Sequence, residues 1–212
     1  MSEKRTITSI TVQNKRKDRY SIFLDHEYAF GLDRDVLLKS GIARGDELTA
    51  EQINEILELE QAQRAKDKAL RLLAVRARSK QEIIDRLRMS KYSTQSIQWV
   101  VAELERLQFL NDEEFAAMYV RSRMATRPVG AMVLRQELKQ KGVSEAFMES
   151  SIQQVFQENS ESEVALILAR KKKKQVQELE EAQAKKRVAD FLMRRGFQWD
   201  IVGDIIARWS EI

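Results

Sequence analysis

The chain has 212 residues with 43% apolar side chains, 33% charged side chains and a net charge of +4, which allows one large domain or two to four small units. Its 7 glycines and 1 proline favour long helices with few tight turns, and the absence of cysteine excludes a disulfide framework and a cysteine-based zinc site. No apolar run approaches the roughly 20 residues of a membrane span, and the start MSEKRTITSI lacks a signal-peptide core, so we expect a cytoplasmic protein without membrane contact.

Residues 6–30 alternate apolar and polar side chains in a way typical of β-strands. Ile7 and Val12 lie in a β-prone run, the segment NKRKDR predicts a polar turn, and the alternation resumes from Tyr20 to Phe30. This pattern predicts a β-hairpin or a three-stranded meander. A sheet of this size is marginal alone, so we expect it to pack on the helices that follow.

Two helices are predicted after the sheet. Residues Arg34–Lys39 form a short one, and a longer one begins at Thr49, where Thr49 and Gln52 fit a capping box. No glycine or proline interrupts the following residues. The segment is either one long helix or two helices with a break near Gln61–Lys66, where QAQRAK is polar all round.

The stretch that begins at Asn111 predicts three short helices in series. Asn111 or Asp112 can cap the first helix, and Pro128 either ends it or lies in the first turn of the second. Gly142 stands where the second helix would need a left-handed residue at its end, and Ser144 can cap the third.

The same pattern recurs on both sides of this stretch. An offset of 51 residues places Leu87 on Leu138, and an offset of 54 places Leu138 on Leu192. The match is weaker in the last copy, where Gln198 replaces Ser144. Repetition at this period is typical of units that stack and bury a continuous core. The alternative is that ordinary helical hairpins resemble one another because all amphipathic helices do.

These patterns predict a mainly α protein. It would consist of tandem three-helix repeats in an elongated array, preceded by a small β-hairpin or meander. The predicted division is a β-containing domain at 1–48, a helical connector at 49–65, and repeats at 66–110, 111–158 and 159–212.

The chain resembles the RecX family of RecA-regulating proteins in the order and spacing of three segments, RSKQEIIDRL, LNDEEFAAMYV and GAMVLRQELKQKGVS. Its N-terminus resembles that of longer members from Gram-positive bacteria, in the segment ITSITVQNKRKDRYSIFLDHEYAFGLD. The resemblance implies tandem three-helix repeats, no enzymatic activity and no cofactor. It also implies binding to the RecA–DNA filament in its helical groove, restraint of filament growth, and a role in homologous recombination, DNA repair and the SOS response. One departure is Lys91, which stands where the other repeats have Gly142 and Gly196 and puts a left-handed cap there in doubt.

The positions that match recurrent family residues are mostly helix ends and apolar sites. Folding explains them as caps, as a backbone requirement for glycine, or as core. These positions are Arg78, Ser79, Glu82, Arg86, Leu87, Asp112, Phe115, Ala116, Tyr119, Gly130, Leu138 and Gly142.

The candidate contacts to RecA or DNA are bases that we expect to be exposed. Between Arg121 and Gly142, six bases stand against the single acid Glu137, an excess of five. Such side chains can neutralise phosphates or pair with an acidic protein groove, and the alternative is a solvated helix face. The candidates are Arg121, Arg123, Arg127, Arg135, Lys139, Lys141, Arg170, Lys171, Lys172, Lys173, Lys174, Lys185, Lys186, Arg187, Arg194 and Arg195.

No catalytic motif stands out. His26 is the only histidine and lies in a predicted turn, which favours a surface residue. The sequence contains no glycine-rich phosphate loop, nucleophile elbow or histidine–carboxylate metal spacing, so we expect no enzyme and no metal. Trp99, Trp199 and Trp209 are candidates for stacking on bases, but core packing is the favoured interpretation.

The sequence therefore suggests a monomeric, non-enzymatic regulator that binds RecA and the RecA–single-stranded DNA filament and binds DNA directly only weakly. One rival is a helix-turn-helix regulator of DNA, although the segment that would read the bases, SEAFMESSIQQVF, is acidic and carries no arginine. Another rival is a structural adaptor that binds a protein and no nucleoprotein.

Overall fold

The computed structural model describes residues 4–14 and 16–212, and its first elements form an antiparallel sheet. The strands are β1 (Arg5–Gln13), β2 (Arg16–Leu24), β3 (Glu27–Asp33) and β4 (Glu47–Leu48), in the order β3-β2-β1-β4. The predicted meander is confirmed, and β4 is a short addition that the sequence did not indicate. The predicted turn across NKRKDR is too long: Asn14 lies in a turn and Lys15 lies outside the described residues, but Arg16–Arg19 belong to β2, where the polarity of Arg16, Lys17 and Asp18 reflects their exposure.

One face of the sheet packs on helices and forms the first core. Ile7, Ile22 and Leu32 are fully buried, together with Val36 of α1 (Arg34–Ser40) and Ile56 of α2 (Ala50–Val75). The Asp33 carboxylate accepts a hydrogen bond from the Asp35 N–H at the start of α1, and Gly41 ends it in the left-handed region with φ of 65°. The sheet therefore packs on the helices that follow it, as expected.

The long segment after the sheet is a single helix, α2. Thr49 and Gln52 form both hydrogen bonds of the predicted capping box. No break occurs near Gln61–Lys66, because its residues are strong helix formers and Ala65 is buried. The last residue of α2 is Val75.

Eight further helices follow and complete the three-helix repeats. They are α3 (Lys80–Met89), α4 (Thr94–Arg106), α5 (Asp112–Thr126), α6 (Ala131–Gln140), α7 (Glu145–Glu158), α8 (Glu161–Lys174), α9 (Glu181–Arg194) and α10 (Trp199–Ala207), with a 3-10 turn at Trp209–Glu211. Ser144 caps α7 as predicted, and Ser93 caps α4 in the same way. The α5 helix ends at Thr126, before Pro128, and its N-cap is Asn111.

The chain forms two compact units. One contains the residues up to Ala77 together with Ile83–Phe109, and the other contains Arg78–Glu82 and Leu110–Ile212. The second unit has one apolar cluster among α5, α6 and α7, which includes Leu134 and Leu138, and another among α8, α9 and α10. All sixteen candidate bases lie in the second unit.

The middle helix of each repeat ends in the same way. A backbone hydrogen bond closes the turn in each case, from Tyr92 N–H to Leu87 at 3.4 Å, from Val143 N–H to Leu138 at 3.2 Å and from Phe197 N–H to Leu192 at 3.3 Å. The preceding residue is left-handed each time, with φ of 62° at Lys91, 72° at Gly142 and 81° at Gly196. The left-handed cap that the sequence put in doubt is therefore present, on a lysine.

Replacing Lys91 by glycine should stabilise the first unit by about 1 kcal/mol, because a left-handed backbone penalises a residue with a Cβ and not glycine. Urea unfolding of the variant would measure this gain. Lys91→Ala is the matched control and should show no gain, since alanine keeps the Cβ. A lower unfolding midpoint for Lys91→Gly would mean that contacts of the lysine side chain outweigh the backbone strain.

Candidate functional site

Lys141, one of the predicted contact bases, is the centre of a charge network in the second unit. Its Nζ lies 3.2 Å from Glu82 Oε1 and 4.9 Å from the centre of the Tyr119 ring. Its carbonyl oxygen accepts a hydrogen bond of 2.6 Å from the Ser79 hydroxyl. The Ser79 hydroxyl accepts a hydrogen bond from the Glu82 backbone N–H, and the Glu82 carboxylate accepts one from the Ser79 backbone N–H, which forms a capping box at the start of α3. Lys141 thus joins this helix start to the second repeat.

Tyr119 and Glu137 extend this network to Arg123. The Tyr119 hydroxyl donates a hydrogen bond of 3.0 Å to Glu137 Oε2, and Arg123 Nε lies 3.1 Å from the same carboxylate. Burial and the neighbouring Glu137 carboxylate raise the pKa of Tyr119 to about 12, so the phenol stays protonated. Arg123 also donates to the carbonyl oxygen of Arg127. Its guanidinium is therefore engaged on two sides.

Acids from outside the central segment reduce its excess of five positive charges. Arg135 forms a bidentate pair with Glu149 of α7 at 2.6 and 2.9 Å, which lowers the pKa of Glu149. Including Glu82 and Glu137, six bases stand against three acids. Two of these acids come from other helices, so they lie outside the sequence window in which charges were counted.

The run of bases at the end of α8 divides between the interior and the surface. Lys173 donates to the carbonyl oxygens of Trp209 and Ile212 at 2.7 and 2.8 Å, and its Nζ lies 4.6 Å from the centre of the Trp209 ring. Lys172 lies 5.7 Å from the centre of the Phe191 ring. These two lysines stabilise the third repeat, and the rest of the run faces solvent.

Nine of the sixteen candidates remain available for a partner. Lys185 is excluded from this set because it pairs with Glu181 at 2.5 Å. The nine are exposed and make no ion pair or side-chain hydrogen bond with the part of the chain that the structure describes. They are Arg121, Arg127, Lys139, Arg170, Lys171, Lys174, Lys186, Arg187 and Arg194.

Arg195 converges with two arginines of the second repeat. Its Nη1 donates a hydrogen bond of 2.7 Å to the Pro128 carbonyl, and its guanidinium lies 4.9 Å from the centre of the Phe191 ring. Burial, followed by repulsion from Arg123 and Arg127, lowers the pKa of Arg195. Of the three, only Arg123 has a carboxylate partner among the described residues. An anion bound here would relieve the repulsion.

Two glycines bring these arginines together. The Gly130 N–H donates a hydrogen bond of 2.8 Å to the Arg195 carbonyl. A Cβ on Gly130 would come within 2.3 Å of the Gly196 carbonyl oxygen, and a Cβ on Gly196 within 2.6 Å of Val133 Cγ2. Gly130 has an ordinary φ of −76°, so it is required for close approach of two backbones and not for its conformational freedom.

Most family-matching residues make contacts within the fold. Leu87, Phe115, Ala116 and Leu138 are buried in apolar clusters or against them. Of the two alternative caps for α5, Asp112 is not the one used. Its carboxylate accepts a hydrogen bond of 2.8 Å from the Lys80 N–H and so caps α3, while Asn111 caps α5.

The tryptophans and the histidine occupy different environments. Trp209 is buried, but Trp99 and Trp199 are 43% and 65% exposed, so the expectation of core packing was wrong for these two. His26 lies in the turn between β2 and β3, as predicted, and its backbone N–H donates a hydrogen bond to Thr8 Oγ1. In the described ranges, no group of three or more histidine or carboxylate side chains is placed to hold a metal ion, and no helix combines the length and low charge that a bilayer span requires.

Four family descriptions match successive parts of the chain. "Regulatory protein RecX N-terminal domain" matches residues 5–49. "RecX, first three-helix domain" matches residues 65–104, the second three-helix domain matches 111–151 and the third matches 159–206.

Individual relatives agree with these matches. The chain is 34% identical over 200 residues to Regulatory protein RecX of Bacillus cytotoxicus and 33% identical to that of Bacillus cereus, in each case over 92% of this chain and 74% of the relative. A crystal structure described as regulatory protein RecX is 29% identical and has a TM-score of 0.77 over 93% of this chain and 96% of that one. RecX from Lactobacillus salivarius, at 24% identity, has a TM-score of 0.65 over 73% of this chain and 99% of its own, and it shows the shared fold alone. The chain belongs to the RecX family of regulatory proteins.

Proposed function

We propose that the protein binds RecA and the RecA–single-stranded DNA filament as a cytoplasmic monomer and inhibits or remodels filament growth, ATP hydrolysis and strand exchange. It would act by binding, without enzymatic activity of its own. The observation that carries this proposal is that the guanidinium groups of Arg195 and Arg123 donate to the neighbouring carbonyls of Pro128 and Arg127, in a chain whose family membership covers all four domains. A site with this charge is suited to a phosphate or to a carboxylate of a protein.

The remaining unpaired bases support binding at several points. Arg170, Lys171 and Lys174 are exposed near the end of α8, and Lys186 and Arg187 are exposed on α9. Each exposed base contributes little alone, but each phosphate that is neutralised releases counterions, and linked contacts add to the affinity. A nucleoprotein filament presents repeated sites, so several of these exposed bases could contact it at once. The proposed location is the helical groove of the filament.

A RecA ATPase assay on single-stranded DNA tests the proposal. We expect the protein to slow RecA-dependent ATP hydrolysis at substoichiometric amounts, because one bound molecule would affect more than one RecA subunit of the filament. The control is a band shift on bare duplex DNA at the same salt concentration, where we expect only weak binding. An unchanged hydrolysis rate at equimolar protein would contradict the proposal.

Arg127→Gln should weaken binding to the RecA–DNA filament several-fold and reduce the slope of log Kd against log salt concentration by about 0.7, the loss of one phosphate contact on a single strand. Arg127 is the suitable target because its side chain has no partner among the described residues, whereas Arg123 is held by Glu137. Fluorescence anisotropy at several salt concentrations would measure both quantities.

Arg44→Gln is the matched control for this prediction, since it removes the same charge from an exposed loop of the first unit. We expect it to leave the slope unchanged. Equal slopes for the two variants would assign Arg127 to the solvated surface.

The helix-turn-helix alternative has less support. The helix that would read DNA in the second repeat is α7, which contains no arginine or lysine. Its first turn carries Glu145, and Glu149 pairs with Arg135. Carboxylates at these positions would repel the phosphates that flank a major groove. Specific binding to duplex DNA in the band shift would favour that alternative, and binding of RecA without DNA dependence would favour a protein adaptor.

A further inference from the structure

A groove of about 680 Å³ lies in the first unit between α1, α2 and α4. Its apolar lining consists of Val36, Leu59, Ala62 and Trp99. Leu59 is 47% exposed and Trp99 is 43% exposed, although both are large apolar side chains. The volume lies in the range of sites that hold small molecules or a few side chains of a partner. None of the candidate bases is part of this groove.

Contacts of its lining residues support the shape of the groove. Leu59 and Ala62 follow Glu55 at helical spacing, so the three form one stripe along α2. At one end, Lys66 Nζ lies 5.8 Å from the centre of the Trp99 ring and 3.3 Å from Glu103 Oε1. This pair of contacts restrains the indole in its exposed position. A partner would therefore bind with little cost for ordering the groove.

The charge of the groove is opposite to that of the whole chain. Glu55 and Glu58 lie along its α2 side, and Lys39 is the one cation among the described residues of its lining. Lys66, at the Trp99 end, is paired with Glu103. The Glu58 carboxylate accepts a hydrogen bond of 3.1 Å from the Ser93 hydroxyl, which holds it in place but leaves its charge uncompensated. In a chain with a net charge of +4, this local acidic surface repels nucleic acid and attracts basic side chains.

We propose that this groove binds a short segment of a partner protein that carries apolar side chains next to lysine or arginine. The apolar side chains would pack on Leu59 and Trp99, and the basic ones would pair with Glu55 and Glu58. A nucleic acid is a poor occupant because its phosphates would face these carboxylates. The groove and the arginines proposed to bind the filament belong to different units. This proposal is therefore tested independently of the proposed function.

Selection from a displayed library of random 14-residue peptides on the immobilised full-length protein tests the proposal. We expect the enriched peptides to combine leucine, methionine or aromatic residues with lysine or arginine. A synthetic copy of the best peptide should bind the wild-type protein at least about tenfold more tightly than the Trp99→Ala variant, because exposed aromatic anchors carry much of the affinity at such sites. Glu55→Lys should weaken the same peptide several-fold, mainly at low salt.

Trp199→Ala is the matched control, since it removes an exposed tryptophan of the second unit and should leave peptide affinity unchanged. Leu59→Ser is a second variant of the groove, for use if Trp99→Ala unfolds, and it should also weaken binding. Three results would overturn the proposal: no enriched peptide, enrichment of acidic peptides, or equal affinity in the groove variants and wild type. Self-association of the protein that Trp99→Ala abolishes would assign the groove to a second copy of the chain, and would also overturn it.

Discussion

Replacing Gly130 by alanine should destabilise the second unit by about 3 kcal/mol, the upper part of the range for overpacking a site. The added Cβ would come within 2.3 Å of the Gly196 carbonyl oxygen and 2.7 Å of the Phe197 nitrogen. Both are backbone atoms, so neither can rotate away. The two segments would have to separate, which would also break the hydrogen bond from the Gly130 N–H to Arg195. Chemical denaturation of the variant would measure the loss of unfolding free energy.

Gly41→Ala is the control for this prediction. Gly41 has a φ of 65°, and no atom lies within 4 Å of a Cβ built on it, so its cost is conformational and should be about 1 kcal/mol. At Gly130 the cost is steric, because its φ is ordinary and there is no space for a side chain. If Gly130→Ala loses no more unfolding free energy than Gly41→Ala, the contact between the two backbones is easily relaxed.

Gly130→Ala should also reduce the proposed inhibition of RecA ATPase more than its loss of stability explains. Arg195 is positioned by its carbonyl contact with Gly130 and by the hydrogen bond from its guanidinium to Pro128. Separating these segments moves Arg195 away from Arg123 and Arg127, and the charge convergence is weakened. Inhibition should be measured at a temperature at which the variant remains folded.

Helix ends could be predicted from the sequence because their causes are local. Thr49, Ser93 and Ser144 each bond an N–H a few residues ahead, and Gly142 needs no partner to adopt its left-handed backbone. The repeats were detected for the same reason, since their alignment depends on caps and apolar spacing. Lys91 shows where this reasoning failed, because the packing of the repeat imposes a left-handed backbone on a residue that does not favour it.

Contacts between residues distant in sequence were not predictable. Asp112 was one of two alternative caps for α5, but it is the first residue of that helix and caps α3 through the Lys80 N–H. The acids Glu82 and Glu149, which neutralise Lys141 and Arg135, lie outside the basic segment. The convergence of Arg195 with Arg127 depends in the same way on the approach of two loops. The composition of a candidate site could thus be predicted, but not which of its charges remain free.

The groove had no detectable signal in the sequence. Leu59 and Trp99 have the spacing and chemistry of core residues, and whether such residues are covered depends on the packing of α1, α2 and α4. The pairing of Arg19 with Glu60 was equally undetectable, since a strand residue and a helix residue meet only after the sheet packs on α2.

Removing either partner of the Arg19–Glu60 ion pair should destabilise the first unit by about 3–5 kcal/mol, the usual cost of leaving a buried charge unpaired. Arg19 Nη1 lies 2.7 Å from Glu60 Oε1, and the two side chains are only 14% and 6% exposed. Glu60 Oε2 also accepts a hydrogen bond of 2.7 Å from the Asp33 N–H, whereas Oε1 has no aligned hydrogen bond and is held by the ion pair. Arg19→Met and Glu60→Leu, measured by urea unfolding, test the two losses.

The double variant Arg19→Met with Glu60→Leu should lose much less than the sum of the single variants, because it leaves no unpaired buried charge. A residual cost of about 1–3 kcal/mol is expected, since the Asp33 N–H and the Gly31 carbonyl lose their partners. The exposed pair Lys4–Glu47, with side chains 58% and 59% exposed, is the control, and Lys4→Ala should cost less than about 1 kcal/mol. Additive losses in the double variant would mean that water reaches Glu60 and screens its charge, so that the sheet is held on α2 by its apolar contacts alone.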